Sequence, residues 1–145
     1  MEISVILNHK GAVVHAISPE ATVFEAIQQM AERNVGALVV MSGEALEGLV
    51  SERDYTRKVA LRGRMSKETP VRLIMAAPPI TVTPRHTIED CMRLMTEKRV
   101  RHLPVVDDSR VIGLVSIGDL VNWIISSQTS MIRQMEDYIV GNYPG

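Results

Sequence analysis

The stretch "GLVSERD" occupies residues 48–54, and "GLVSIGD" occupies residues 113–119. The same apolar run, the same Ser and the same Asp are written twice. Sliding the chain along itself until Gly48 meets Gly113 aligns residues 17–54 with 82–119 without a gap. Pro19 meets Pro84, Thr22 meets Thr87, Met30 meets Met95 and Glu32 meets Glu97, while Val35, Leu38 and Val40 meet Val100, Leu103 and Val105. Gly48, Leu49, Val50, Ser51 and Asp54 then face Gly113, Leu114, Val115, Ser116 and Asp119, which makes twelve identities in 38 positions. Self-similarity at a fixed offset marks the duplication of a structural unit.

Each copy has the same predicted elements. A short extended segment comes first ("HAISP", "ITVTP") and ends at its Pro. Thr22 and Thr87 then offer a helix N-cap, with Glu25 and Asp90 three residues on, the spacing of a capping box. Val23, Ala26, Ile27, Met30 and Ala31 fall on one helical face, and Ile88, Cys91, Met92 and Met95 repeat the pattern. Two apolar runs follow in each copy, separated by "SGEA" or "DDS", and each pair reads as a hairpin. A second helix starts after each Ser. The unit is therefore β-α-β-β-α, and one such unit buries too little surface to be comfortable alone. Two of them packed face to face with pseudo-twofold symmetry form an α+β fold.

The expected boundaries are 8–66 for the first repeat, 67–79 for a Pro-bounded connector with Ile74 and Met75 apolar, and 80–126 for the second repeat. Residues 127–145 form a C-terminal amphipathic helix, with Met131, Met135, Tyr138 and Ile139 at helical spacing and "GNYPG" as its stop. That stripe calls for a partner surface, either in its own domain or across a dimer.

Composition narrows the function classes. The 145 residues are 46% hydrophobic and 23% charged, with a formal net charge of −1, so a general footprint for duplex nucleic acid or a membrane is absent. The basic run "RKVALRGRMSK" (57–67) is either a solvated loop or a surface that faces phosphate or a partner. No stretch has the ~20 apolar residues of a membrane span, and the N-terminus does not read as a secretory signal. Cys91 is the only cysteine, which excludes an internal disulfide and fits a reducing cytoplasm; on an apolar helix face it reads as a buried residue rather than a nucleophile. The four His show no metal-ligand spacing.

The Ser-x-x-Asp motif has two readings. In one, Ser51 and Ser116 cap a helix, and Asp54 and Asp119 answer its free N–H groups and positive end. In the other, the same helix start offers N–H groups and a hydroxyl to a phosphate, and the Asp accepts from the paired hydroxyls of a ribose. Arg53 adds a forked cation for phosphate. A nucleoside monophosphate would satisfy all three.

The gapless repeat, together with "ITVTP", "RVRHLPVVD" and "GLVSIGD", resembles a tandem CBS domain pair (a Bateman module) over residues ~12–125. The ending "MEDYIVG" is similar to the tail of small stand-alone bacterial proteins of that kind. The resemblance implies that Asp54 and Asp119 meet ribose and that Ser51 and Ser116 meet phosphate. It implies that Ile17 in one copy and Ile80, Thr81 and Val82 in the other flank the base. Backbone at Ala37–Leu38 and His102–Leu103 would complete the pockets, and Arg101 and His102 would face phosphate. The copies differ here: Arg53 stands opposite Gly118, and Gly36-Ala37 opposite Arg101-His102. Two unequal sites follow.

The implied function is a cytoplasmic regulatory module that binds an adenine nucleotide (AMP, ATP, NAD or a related adenosyl ligand) and acts through a homodimer or an unidentified regulated protein. A ligand-free interaction module is the alternative. No nucleophile–base pair, metal constellation or P-loop supports an enzyme, and no catalytic cofactor is expected.

Overall fold

The two copies repeat their helices and hairpins in step. The computed structural model describes residues 1–11 and 13–139. A short helix, α1 (Ser4–Lys10), precedes both copies. In the first copy β1 (Ala16–Ile17) is followed by α2 (Val23–Arg33), β2 (Ala37–Ser42), β3 (Ala45–Ser51) and α3 (Glu52–Tyr55). In the second, α4 (Ile88–Lys98), β4 (His102–Asp107), β5 (Arg110–Ser116) and α5 (Ile117–Ile139) follow in the same order. The offset that carries Gly48 to Gly113 also carries both ends of α2, β2 and β3 onto those of α4, β4 and β5.

Local chemistry explains the match. Thr22 and Thr87 each accept a hydrogen bond from the backbone N–H three residues on, and Glu25 and Asp90 each accept one from the Thr N–H, closing both predicted capping boxes. Asn34 and Arg99 end the two helices in the left-handed conformation, φ 55° in each. β2 pairs antiparallel with β3, and β4 with β5, and the register slips at Val40/Met41 in one hairpin and at Val105/Val106 in the other. β1 joins β2 in parallel. Its counterpart, read as extended over "ITVTP", narrows to one parallel bridge, Val82 with Val105, because Pro104 stands where Val39 N donates to His15 O and has no N–H to donate.

The core is divided. Val23, Ala26, Met30, Leu38, Val40 and Val50 pack with Val71 and Ile74 of the connector. Ile88, Cys91, Met95, Leu103, Val105, Val115 and Leu120 pack with Ile3 and Ile6. The N-terminal segment thus does for the second repeat what the connector does for the first. Val71 N donates to Ala21 O and Ile3 N to His86 O; Val23 N donates to Thr69 O and Ile88 N to Met1 O. Residues 8–10, grouped with the first repeat by sequence, therefore lie on the second. α5 runs unbroken through residue 127, where a separate C-terminal helix was expected, because nothing from Ser126 to Ser130 interrupts helical geometry. Val121, Ile125, Met131, Ile132 and Met135 are exposed along it. The expected stop at "GNYPG" lies outside the described residues.

Candidate nucleotide site

Strand register assembles each site. Ser51 ends β3 opposite Ala37 at the start of β2, and Ser116 ends β5 opposite His102 at the start of β4. One further bond closes each corner: Glu52 N donates to Gly36 O at 3.1 Å, and Ile117 N donates to Arg101 O at 2.9 Å. The predicted Ser, Asp and strand-start residues are thereby brought to one edge of each sheet.

Both helix starts are closed by capping. Ser51 N and Oγ donate to Asp54 Oδ2 at 2.9 and 3.1 Å, and Asp54 N donates back to Ser51 Oγ at 3.3 Å. Ser116 N donates to Asp119 Oδ2 at 2.9 Å, and Asp119 N to Ser116 Oγ at 3.1 Å. The capping reading is therefore realised, and it holds the carboxylates in place at the sheet edge.

Each carboxylate also carries a lysine that the sequence reading missed. Lys58 Nζ lies 3.2 Å from Asp54 Oδ1 and donates to Ile74 O at 2.8 Å. Lys10 Nζ lies 2.7 Å from Asp119 Oδ2 and donates to Leu114 O at 2.8 Å. For Asp119, burial pushes the carboxyl up, but the bonds from Lys10 and Ser116 and the Lys10 charge outweigh it and hold the group below the usual range. The i,i+4 spacing of Asp54 and Lys58 is a sequence signal for the first pair. Only the fold brings Lys10 to Asp119.

The remaining candidates divide by exposure. Arg53 reaches across to the second repeat, where Nη1 donates to Arg99 O at 3.0 Å. His102 crosses in the other direction: its Cε1 and Nε2 lie 3.6 Å from where a Cβ on Gly36 would stand. Burial, the Lys10 charge and Arg101 press its ring pKa down, against Asp119, which raises it. Arg101 and Thr81 are exposed, and Ile17 and Ile80 are half-buried. Leu38, Leu103 and Val82 are sealed into the cores, and the Val82 backbone is spent on Pro104 O and Val106 N. Ala37 is buried outside both core clusters. Cys91 is fully buried, and burial followed by the Asp90 charge pushes its thiol up to about 11, which suits packing and not nucleophilic chemistry. Among the described residues no cluster of His, Cys, Asp or Glu could hold a metal ion, and no helix is long and apolar enough to cross a membrane.

Two β-α-β-β-α units, each ending its last strand in a Ser–Asp helix start, define a tandem CBS module. The chain belongs to the CBS domain family, whose model matches residues 12–61 and 71–126. It is 45% identical over 127 residues to the CBS domain-containing protein CBSX3, mitochondrial, of Arabidopsis thaliana, covering 84% of this chain and 62% of the relative. The chain therefore spans less than two thirds of that relative. A solved CBS-domain protein from Burkholderia ambifaria, provisionally assigned to signal transduction, superposes with a TM-score of 0.85 at 44% identity, over 88% of this chain and 96% of that one. A CBS domain protein from Pyrobaculum aerophilum, solved in complex with AMP, superposes with a TM-score of 0.73 at 27% identity, over 82% and 89%.

Proposed function

We propose that this chain is a regulatory binding module, not an enzyme, that takes an adenine nucleotide at each Ser–Asp corner. The observation that carries this reading is the duplicated register, Ser51 opposite Ala37 and Ser116 opposite His102, which sets an acceptor carboxylate beside the start of the neighbouring strand twice. The AMP bound by the Pyrobaculum relative supports the ligand class. In this reading Asp54 and Asp119 accept from ribose hydroxyls, Ser51 and Ser116 reach phosphate, and Arg53 and Arg101 supply cations. Ile17 in one copy and Ile80, Thr81 and Val82 in the other flank the base. The output passes through a homodimer or a regulated protein in a reducing cytoplasm, and the exposed apolar residues of α5 supply a contact surface.

Thermal unfolding with AMP, ADP, ATP, NAD or S-adenosylmethionine tests the ligand class. A nucleotide at 100 times its Kd adds about 2.7 kcal/mol, several degrees for a domain of this size. Asp54→Ala and Asp119→Ala each remove one site by calorimetry. No shift with any of these ligands, in protein freed of copurified nucleotide, overturns the proposal. It would leave the interaction module, which the closed capping boxes and lysine-covered carboxylates favour.

A further inference from the structure

The two lysines reach equivalent carboxylates by unrelated routes. Lys58 sits one turn beyond Asp54 on the same helical run, and the repeat puts Trp123 at the matching position in the second copy. Lys10 comes from α1, and its counterpart in the connector is Pro78, given that Ile3 and Ile6 stand where Val71 and Ile74 stand in the first repeat. The end of α1 is fastened to the second repeat by side chains. Lys10 holds Asp119 Oδ2 and Leu114 O, and His9 meets the Trp123 ring edge-on with centroids 6.0 Å apart. The start of α1 is fixed independently, because Ile3 and Ile6 are buried in the core.

We infer that Lys10 is a latch on the second pocket: it holds the Asp119 oxygen that a ribose hydroxyl needs, so a nucleotide enters only as the last turn of α1 releases. The inference rests on the nucleotide reading above. A vicinal diol engages a carboxylate best through both oxygens. Asp119 Oδ2 already accepts from Ser116 N and from Lys10, while Oδ1 has no partner among the described residues. Lys10 must therefore swing away before both hydroxyls can bind. Lys58 moves with the helix that carries Asp54, so its displacement reports to no other element. Lys10 lies on a separate helix, so occupancy of the second pocket reaches the N-terminal segment. The side chain of Lys10 is 41% exposed and that of Asp119 23%, which places the link among the weak, reversible ion pairs.

AMP is the probe. In an Asp54→Ala background, or Asp54→Asn if the alanine variant fails to fold, only the second pocket binds. There Lys10→Met tightens AMP about fivefold by calorimetry, the scale of a partly exposed ion pair. Backbone amides of residues 7–11 exchange faster in Lys10→Met without ligand, and in the Asp54 variant once AMP is added. An unchanged or weakened affinity on Lys10→Met overturns the latch and identifies Lys10 as a bystander or a phosphate contact. Unmoved exchange at residues 7–11 overturns it too, as does a second pocket that takes no AMP with or without Lys10 while Asp54 still binds it. Failure of wild-type protein to bind AMP at either site removes the nucleotide reading itself, and the latch with it.

Discussion

In the first repeat Asp54 takes its ammonium from Lys58, on the π-helical turn Thr56–Ala60 that directly continues α3; in the second, Asp119 takes it from Lys10, near the far end of the chain. Around these lysines the backbone is nearly a copy: capping boxes, left-handed helix ends and hairpin slips recur at the same offset. Geometry that seats the carboxylate is kept, while the source of its counter-charge differs. A carboxylate held by backbone and Ser bonds needs only that some cation lie close, so any neighbouring element can supply it. The supplier then decides what else feels the site.

The largest effects should come from the two segments that complete the cores. Ile3→Ala empties a fully buried position, and about 2–5 kcal/mol is expected by denaturant unfolding. Val71→Ala, its counterpart, removes one carbon fewer and should cost less. Hydrogen exchange sharpens the comparison: Ile3→Ala should expose amides around Leu103 and Val115, and Val71→Ala those around Leu38 and Val50. If Ile3→Ala loosens the first repeat instead, the N-terminal segment is not the connector's equivalent.

The paired glycines come next. A Cβ on Gly48 would stand 2.7 Å from the backbone oxygen of Ala76, but one on Gly113 would stand 2.6 Å from Leu7 Cδ2, the tip of a side chain. Gly48→Ala must move backbone that donates and accepts with Leu49, and belongs in the upper part of the ~1–3 kcal/mol range for overpacking. Gly113→Ala needs only a new Leu7 rotamer, and shortening Leu7 in a double variant should relieve most of its cost. Equal penalties, or no rescue, would break this distinction. Smaller again are the caps, about 1 kcal/mol each for Ser51→Ala and Ser116→Ala. Ser51 should cost the more, because its hydroxyl also donates to Asp54.

Much of this was legible in the chain because it is written locally. Thr22 with Glu25 and Thr87 with Asp90 announce helix starts three residues apart, and the Ser–Asp pairs do the same. The N-terminal helix escaped because its kinship to the connector runs out of step with the main repeat. It rests on only Ile3, Ile6 and Leu7 against Val71, Ile74 and Met75. Lys10 was invisible for a related reason: its partner is 109 residues away, and no periodicity encodes such a contact. Val82 and the Leu103 backbone come from the family resemblance alone, and both side chains lie in the core of the second repeat.

The last contrast is Ala37 against His102, the residues facing Ser51 and Ser116, and pH separates them. Burial first, then the charges of Lys10 and Arg101, hold the His102 ring below its ordinary value of 6.5, against the pull of Asp119. The unfolded chain therefore takes a proton near pH 6.5 while the folded ring stays neutral, and stability falls as pH drops from 7 toward the lowered folded value. Asp119 works in a different window: its lowered carboxyl stabilises the fold above its unfolded value near 4, and that contribution is lost as pH falls through the lower folded one. His102→Ala, which writes the first repeat's residue into the second, should flatten the loss of Tm between pH 7 and 5.5 and leave the acid limb near pH 3 in place. Lys10→Met should move the His102 ring titration upward by NMR, because it removes one repelling charge and frees Asp119 to attract the proton. An unchanged slope in the first variant, or a downward shift in the second, would mean that His102 does not sense the Lys10–Asp119 pair.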